Sequence, residues 1–186
     1  MSSSTKATPE LDRQDVWDRR LLTLAEMVAS WSKDDSTKVG AVVVTPENVI
    51  VSVGYNGFAQ RMPDVEAHYA DRQSKYSRIV HSETNAILLA RTDVRGCTLY
   101  STFPPCDRCA VSIIQAGIVR VVCPSLSKLA PDKAERWQKS METARDYFQE
   151  SGVAFIEVEE SRRAPKIPPA SERKANPNRR PKRGSA

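Results

Sequence analysis

The sequence of 186 residues lacks any apolar run that approaches the roughly 18 to 20 residues needed to span a bilayer. Its start, MSSSTKATPE, also lacks the apolar stretch of a secretory signal peptide. Hydrophobic residues still make up 40% of the chain, which is enough to build one packed core. These absences argue against a membrane or secreted protein, and we expect one soluble, cytoplasmic domain.

Cysteine is scarce, with four copies. Because the cytosol keeps thiols reduced, four cysteines do not indicate disulfides, and metal ligation or plain burial is expected instead. Cys106 and Cys109 form a C-x-x-C pair. Cys97 and Cys123 each lie in apolar, strand-like surroundings and are predicted to be buried.

The net charge of +5 belongs to one end of the chain. Residues 161–186 hold nine Lys or Arg and one acidic residue, so this segment carries +8 and residues 1–160 carry −3. Its richness in proline and charge predicts a disordered basic tail, which follows a flexible N-terminus at 1–14 and a folded domain at 15–160. We interpret the tail as solubilising, with a polyanion-binding arm as the alternative. The acidic body argues against nucleic acid as a partner.

The hydrophobic pattern predicts nine elements in the order α-β-β-α-β-α-β-α-β. β-branched runs around a Pro-Glu-Asn turn predict a β-hairpin, and the later alternation of helix and strand predicts a layered α/β sheet. A functional loop or a short helix is expected in the polar segment 56–78. The predicted helices cover 15–33, 83–91, 106–116 and 131–150, and the predicted strands cover 39–45, 49–55, 97–101, 118–124 and 153–158.

Two short segments, HSETNA at 81–86 and PPCDRC at 104–109, carry the candidate chemistry. His81, Cys106 and Cys109 supply one imidazole and two thiolates, which suit Zn²⁺ and leave the fourth tetrahedral position open for water. Each segment leads into a predicted helix, so two helix N-termini could converge on one metal. Glu83 is the candidate general base beside that water. A redox role for the C-x-x-C pair is the alternative, but no thioredoxin-like context accompanies it.

The combined H-x-E and P-C-x-x-C pattern resembles the zinc nucleobase and nucleotide deaminases, in which the glutamate shuttles protons and is not a ligand. Within that family the chain is most similar to deoxycytidylate deaminases from about residue 15 to residue 122. The resemblance implies a three-layer cytidine deaminase-like fold, with a central mixed five-stranded sheet and helices on both faces. It also implies one zinc ion per chain and hydrolysis of dCMP to dUMP and ammonia. The resemblance is carried by SKDDSTKVGAVVV, IVSVGYNGF, KYSRIVHSETNAI, DVRGCTLY and CDRCAVSIIQAGI.

The resemblance implies substrate contacts as well. Asn56 would reach the sugar, although an Asn-Gly pair ordinarily forms a hairpin turn. Ser32 and Lys33 would lie near the phosphate, with helix capping as the alternative. Tyr100 and Phe103 are also expected to contact the substrate, although as strand-end aromatics they could equally be core residues. Pro105 is the last of the expected substrate contacts.

Regulation and assembly are also implied by the resemblance. Deoxycytidylate deaminases are typically hexamers that dCTP activates and dTTP inhibits, with Mg²⁺ accompanying the effector. We therefore expect a homo-oligomer, either a hexamer or a dimer. The expected effector contacts are Gly54, Tyr55, Gly57 and Phe58.

The sequence departs from the family pattern at two places. Ser82 stands where the pattern has Ala, which we expect to leave the metal geometry unchanged. Residues 125–137 lack the expected tyrosine-bearing loop, so either Trp137 replaces the missing aromatic or the pocket accepts a 5-substituted cytosine. Two other functions stay open: a polynucleotide deaminase, for instance of tRNA adenosine, and a non-catalytic zinc-stabilised binding protein. Glu83 argues against the last, since a structural site needs no base.

Overall fold

The computed structural model describes residues 13–125, 127 and 131–158. Every predicted helix and strand is present, with ends that shift by a few residues, and the polar segment contains two short helices and a small strand pair. The helices are α1 (Arg13–Ala29), α2 (Glu66–Ala70), α3 (Arg72–Arg78), α4 (Ser82–Leu88), α5 (Asp107–Gln115) and α6 (Pro131–Ser151). The strands are β1 (Gly40–Val44), β2 (Ile50–Tyr55), β3 (Gly57–Phe58), β4 (Ile79–Val80), β5 (Thr98–Ser101), β6 (Arg120–Pro124) and β7 (Ala154–Val158).

Five strands form one mixed sheet in the order β2-β1-β5-β6-β7. β1 pairs antiparallel with both β2 and β5, whereas β5, β6 and β7 run parallel. The predicted mixed five-stranded sheet is therefore confirmed. No helix within the described residues combines the length and the apolar composition that a bilayer crossing requires.

Helices cover both faces of this sheet. Alternate strand residues point to opposite faces, so one strand contributes to two separate cores. On one face α1 packs against a core that includes Val42, Val44, Tyr100 and Val122. On the other face α4, α5 and α6 pack against a core that includes Ala41, Val43, Leu99 and Val121. The three-layer arrangement is confirmed.

A buried ion pair fastens α1 to its face of the sheet. The Arg120 guanidinium donates to both carboxylate oxygens of Asp18, at 2.9 and 2.6 Å. The Tyr100 hydroxyl donates to the same carboxylate at 2.7 Å. Burial opposes ionisation of Asp18, but the hydrogen bonds from Arg120 and Tyr100 outweigh it, so the pKa of Asp18 lies below its ordinary value.

The Asn56-Gly57 pair forms no hairpin turn. A two-residue type I′ turn needs positive φ at both residues, and neither residue has it. The chain instead continues from β2 into β3, which pairs antiparallel with β4. Gly57 lies opposite Val80, and His81 follows Val80 directly. The small strand pair therefore sets the position of His81 relative to β2.

Gly54 lets α4 approach the sheet very closely. A methyl group added at Gly54 would lie 2.3 Å from the backbone nitrogen of Ala86 and 2.4 Å from the carbonyl oxygen of Ser82. Neither backbone atom can move without shifting the helix. Gly40 provides the same close approach for α1, against Ala25 and Ala29. The two glycines therefore fix how near each helix layer lies to the sheet.

We predict that Gly54→Ala lowers the free energy of unfolding by about 1 to 3 kcal/mol, the usual cost of overpacking a core. Gly57→Ala is the matched control, because its added methyl would meet only the Tyr55 ring at 3.7 Å, an ordinary contact. Urea denaturation of both variants measures the difference. Equal stability of the two variants would contradict the close-packing role of Gly54.

Candidate metal centre and active site

The starts of α4 and α5 hold the three predicted metal ligands. His81 is the N-cap residue of α4, and Cys106 is the N-cap residue of α5, both with extended backbone. Cys109 lies in the first turn of α5, where its sulfur is 3.8 Å from the Thr84 hydroxyl of α4. Because each ligand sits at the first turn of a packed helix, its backbone is fixed by the fold.

The ligand atoms are spaced as a zinc ion requires. The Nδ1 atom of His81 lies 3.5 Å from the Cys106 sulfur and 3.3 Å from the Cys109 sulfur. Zn–N and Zn–S bonds of ordinary length at a tetrahedral angle would place nitrogen and sulfur roughly 3.6 Å apart. The donor set and spacing fit Zn²⁺ bound through Nδ1. Within the described residues, no other group of three His, Cys, Asp or Glu side chains gathers in this way, so nothing there supports the expected Mg²⁺ site.

The centre favours a thiolate even without a metal. Hydrogen bonds from the Cys109 thiol and from His81 lower the pKa of Cys106 below its ordinary value. The same Cys106 contact raises the pKa of His81 to about 9. The Cys106 thiolate and burial raise the pKa of Cys109. A metal ion takes neutral imidazole and thiolates, so its binding releases the protons that these groups hold.

Glu83 lies beside the three ligands and is nearly inaccessible, with 4% of its surface exposed. Burial raises the pKa of Glu83 above its ordinary value, and the charge of His81 opposes this effect. The Ser82 hydroxyl donates to Oε2 of Glu83 at 2.9 Å. A buried carboxyl beside a metal site is suited to take up and return protons.

A pocket opens above Glu83 and the metal ligands. Its floor includes His81, Glu83 and Cys106, and its aromatic walls come from Phe103, Tyr76 and Trp137. The Trp137 ring stands edge-on to the His81 ring, with 6.2 Å between centroids. Trp137 therefore lines the pocket, and its replacement of the missing family aromatic stays a prediction. The remaining lining residues are Asp34, Ser36, Thr37, Val39, Asn56, Lys75, Ile79, Ser82, Pro104, Arg136 and Met141.

One wall of the pocket is a polar network centred on Asp34. Lys75 is only 8% exposed, and its ammonium group donates to Asp34 at 2.7 Å. Asn56 accepts from the Val39 amide through Oδ1 at 2.8 Å and donates to the Thr37 carbonyl at 2.9 Å. Burial opposes ionisation of Asp34, but hydrogen bonds from Lys75 and from Ser36 keep the pKa of Asp34 below its usual value. The network holds Asn56 in one orientation.

Four of the predicted substrate contacts lie outside the pocket lining. Tyr100 is wholly buried on the α1 face, the face of the sheet opposite the metal ligands, so its assignment to the substrate is wrong. Ser32 is buried and donates to the Asn56 carbonyl at 2.8 Å, which makes it a support for that residue. Lys33 is 69% exposed and ion-paired with Asp64. Pro105 is buried next to Cys106. Phe103 does line the pocket, and its contact with the substrate stays a prediction.

The residues expected to bind an effector are also placed outside the pocket. Gly54 lies under α4, and Tyr55 contacts the Trp31 ring edge-on at 6.2 Å. Gly57 and Phe58 form β3, and the Phe58 ring stacks on Tyr69 at 4.2 Å. These contacts give the four residues packing roles, and an effector role stays a prediction.

Sequence reasoning missed several pocket residues. Asp34 reaches the pocket from the loop between α1 and β1, Lys75 and Tyr76 reach it from α3 in the polar segment, and α6 contributes Arg136 and Met141. Nothing in the periodicity of α6 distinguishes its pocket-facing residues from its core-facing ones. For Lys75 and Tyr76, the signal was their position a few residues before His81.

Comparisons with known proteins agree with this geometry. Residues 15–125 match the family described as the cytidine and deoxycytidylate deaminase zinc-binding region. The chain is 44% identical over 137 residues to a deaminase in the luxG 3′ region of Aliivibrio fischeri, covering 74% of this chain and 90% of that protein. It is 37% identical over 145 residues to human deoxycytidylate deaminase, covering 75% and 78%. The chain therefore belongs to the cytidine and deoxycytidylate deaminase family.

The fold comparison gives the same architecture. The dCMP deaminase of cyanophage S-TIM5, solved in complex with dCMP and dUMP, superposes with a TM-score of 0.59. The alignment covers 80% of this chain and all of that chain, at 21% sequence identity. At that identity the likeness shows a shared fold alone.

We predict that Cys106→Ala loses most of the zinc that the native protein binds, because two ligands hold the ion far less tightly than three. Cys97→Ala is the control, since Cys97 is equally buried but lies outside the cluster. Elemental analysis of each purified variant gives zinc per chain. Undiminished zinc in Cys106→Ala, or equal loss in both variants, would refute the ligand assignment.

Proposed function

We propose that the protein hydrolyses dCMP to dUMP and ammonia, with one catalytic zinc ion held by His81, Cys106 and Cys109 in each chain. The observation that carries this proposal is the buried Glu83 carboxyl beside a three-ligand cluster at the floor of a pocket. Three protein ligands leave one coordination position for water, and that arrangement is typical of catalytic zinc sites. Family membership supports the reaction, and deoxycytidylate deaminases are among the relatives.

Glu83 carries the protons of the reaction. When bound, zinc supplies Lewis-acid activation of the attacking water. Glu83 takes one proton from that water as its oxygen bonds to C4 of the cytosine, and returns the proton to ring nitrogen N3. It then moves the second water proton to the exocyclic amine, so that the C4–N bond breaks and ammonia leaves. Both water protons are thereby accounted for, and the carboxylate is regenerated.

We assign Asn56 to the sugar of the substrate. Its side-chain amide donates to the Thr37 carbonyl, and its Oδ1 accepts one hydrogen bond, from Val39. A carbonyl-type oxygen has two lone pairs, so one remains for a hydroxyl of the deoxyribose. The fixed orientation of Asn56 would hold the nucleoside with its base toward Glu83.

Arg136 is the residue we assign to the phosphate. Two cationic side chains line the described part of the pocket, Lys75 and Arg136. Lys75 is already held by Asp34 and by Ser36 at 2.7 and 2.6 Å. Arg136 is exposed, and none of the ion pairs among the described residues includes it. A planar guanidinium is well matched to two phosphate oxygens.

The alternatives rest on weaker support. A polynucleotide substrate would favour a basic body, whereas residues 1–160 carry −3. A non-catalytic zinc protein would have no use for a buried carboxyl beside an open coordination position. A 5-substituted cytosine is an alternative substrate because residues 125–137 lack the tyrosine-bearing loop of the family pattern. A homo-oligomer, and regulation by dCTP or dTTP with Mg²⁺, are carried over from the family as proposals.

We predict that Arg136→Ala raises KM for dCMP about tenfold or more and leaves KM for deoxycytidine unchanged, because a charge-assisted hydrogen bond to phosphate is lost. Lys139→Ala removes an exposed cation from the same helix and serves as the control. Steady-state ammonia release with both substrates makes the comparison. A parallel rise in KM for both substrates would assign Arg136 to another role.

We predict that Glu83→Gln lowers kcat by at least about 10⁴-fold, since general acid and base catalysis contributes up to that factor and one group serves several transfers. Gln is nearly isosteric with Glu and is not a proposed ligand, so zinc content and nucleotide affinity should persist. Glu26→Gln, an exposed change in α1, is the control.

The same assay distinguishes the substrates when ammonia release is followed with dCMP, dCTP, 5-methyl-dCMP, deoxycytidine and tRNA. Preferred turnover of any compound other than dCMP would replace the proposed substrate. Ammonia release by Glu83→Gln within tenfold of the native rate would refute the proton-transfer role.

A further inference from the structure

Ser82 forms a hydrogen bond that the mechanism above does not use. It is the first residue of α4 and is wholly buried. Its hydroxyl donates to Oε2 of Glu83 at 2.9 Å. Within the described residues, Ser82 is the one side chain that hydrogen-bonds this carboxylate.

The hydroxyl of Ser82 has no helix-capping role. His81 occupies the N-cap position, and Ser82 follows it inside the helix. Serine at a helix start ordinarily bonds the backbone N–H groups of the first turn. Here the hydroxyl is turned to the neighbouring carboxylate instead. The motif resembled by this chain has Ala at position 82, so the hydroxyl is an addition that the fold does not require.

Ser82 is itself held rigidly. Its carbonyl oxygen lies against Gly54, at a separation that leaves no space for a methyl group. A hydrogen-bond donor fixed to such a backbone restricts the rotation of the side chain that it binds. The backbone N–H of Glu83 also bonds its own carboxylate, and no cationic side chain donates to it among the described residues.

We propose that Ser82 is a positioning residue that fixes the Glu83 carboxylate for proton transfer. The inference rests on the proposed deaminase function. Because Ser82 already donates a hydrogen to Oε2, that oxygen is the poorer acceptor, and Oε1 takes the proton from the attacking water. Oε1 then returns the proton to the substrate while Oε2 stays bound to Ser82. One oxygen anchors the carboxylate and the other carries the proton.

The test compares the zinc-loaded native protein with Ser82→Ala, which removes one oxygen atom and introduces no bulk. We expect kcat for dCMP to fall about tenfold, as for the loss of one hydrogen bond to a charged group, with KM and zinc content unchanged. Ser151→Ala removes a serine hydroxyl at the far end of α6 and should leave kcat unchanged. A merely structural role would lower zinc content or thermal stability and leave kcat per zinc unaltered.

A second readout needs no turnover. Infrared spectra of protein labelled with ¹³C-glutamate, with the matching Glu83→Gln spectrum subtracted, isolate the carboxylate stretch of Glu83. We expect this band to shift in Ser82→Ala. An unshifted band, or a kcat within twofold of native, would overturn the positioning role. Absence of ammonia release by the native protein would instead refute the proposed function, so the two failures are distinguishable.

Discussion

The metal centre depends on the contact between the first turns of α4 and α5. His81 and Cys106 are 25 residues apart in sequence, and their ligand atoms lie 3.5 Å apart only because both helices begin at neighbouring positions on one face of the sheet. The closeness of α4 to β2 at Gly54 and the pairing of β3 with β4 set the position of His81. The C-x-x-C spacing places Cys106 and Cys109 together within a single helical turn. The positions of the pocket, of Glu83 and of the three metal ligands all depend on this contact between the two helix starts.

Much of the chemistry could be predicted because it is local in sequence. His81 with Glu83, and Cys106 with Cys109, are pairs whose geometry follows from one helix start each, and the structure brings both pairs together. The fold class was also predicted, since period and turn residues mark every element of the main sheet. Side-chain roles that depend on distant segments were harder to predict from the sequence. Arg136 reaches the pocket from α6, which begins at Pro131, 16 positions after α5 ends at Gln115, and no local pattern marks it.

Tyr100 shows why strand-end aromatics are ambiguous. Alternation along β5 places Leu99 and Tyr100 on opposite faces, but the sequence does not tell which face α1 covers and which face carries the metal ligands. The structure puts Leu99 in the core beneath α5 and Tyr100 beneath α1. Asn56 was ambiguous in another way. Its turn-forming signal is local, whereas the partners that hold it, Thr37 and Val39, belong to the loop before β1.

The ion pair between Asp18 and Arg120 joins two distant segments and bears on how the molecule folds. The two residues are 102 positions apart, and Arg120 begins β6, whose neighbours β5 and β7 pair with it in parallel. α1 is synthesised before β6, so this ion pair can form only after β6 has been made. A contact between such distant segments closes a long loop, and contacts of this kind slow folding more than local ones do. One of the bonds that hold α1 to the sheet therefore depends on a residue that lies 102 positions later in the chain.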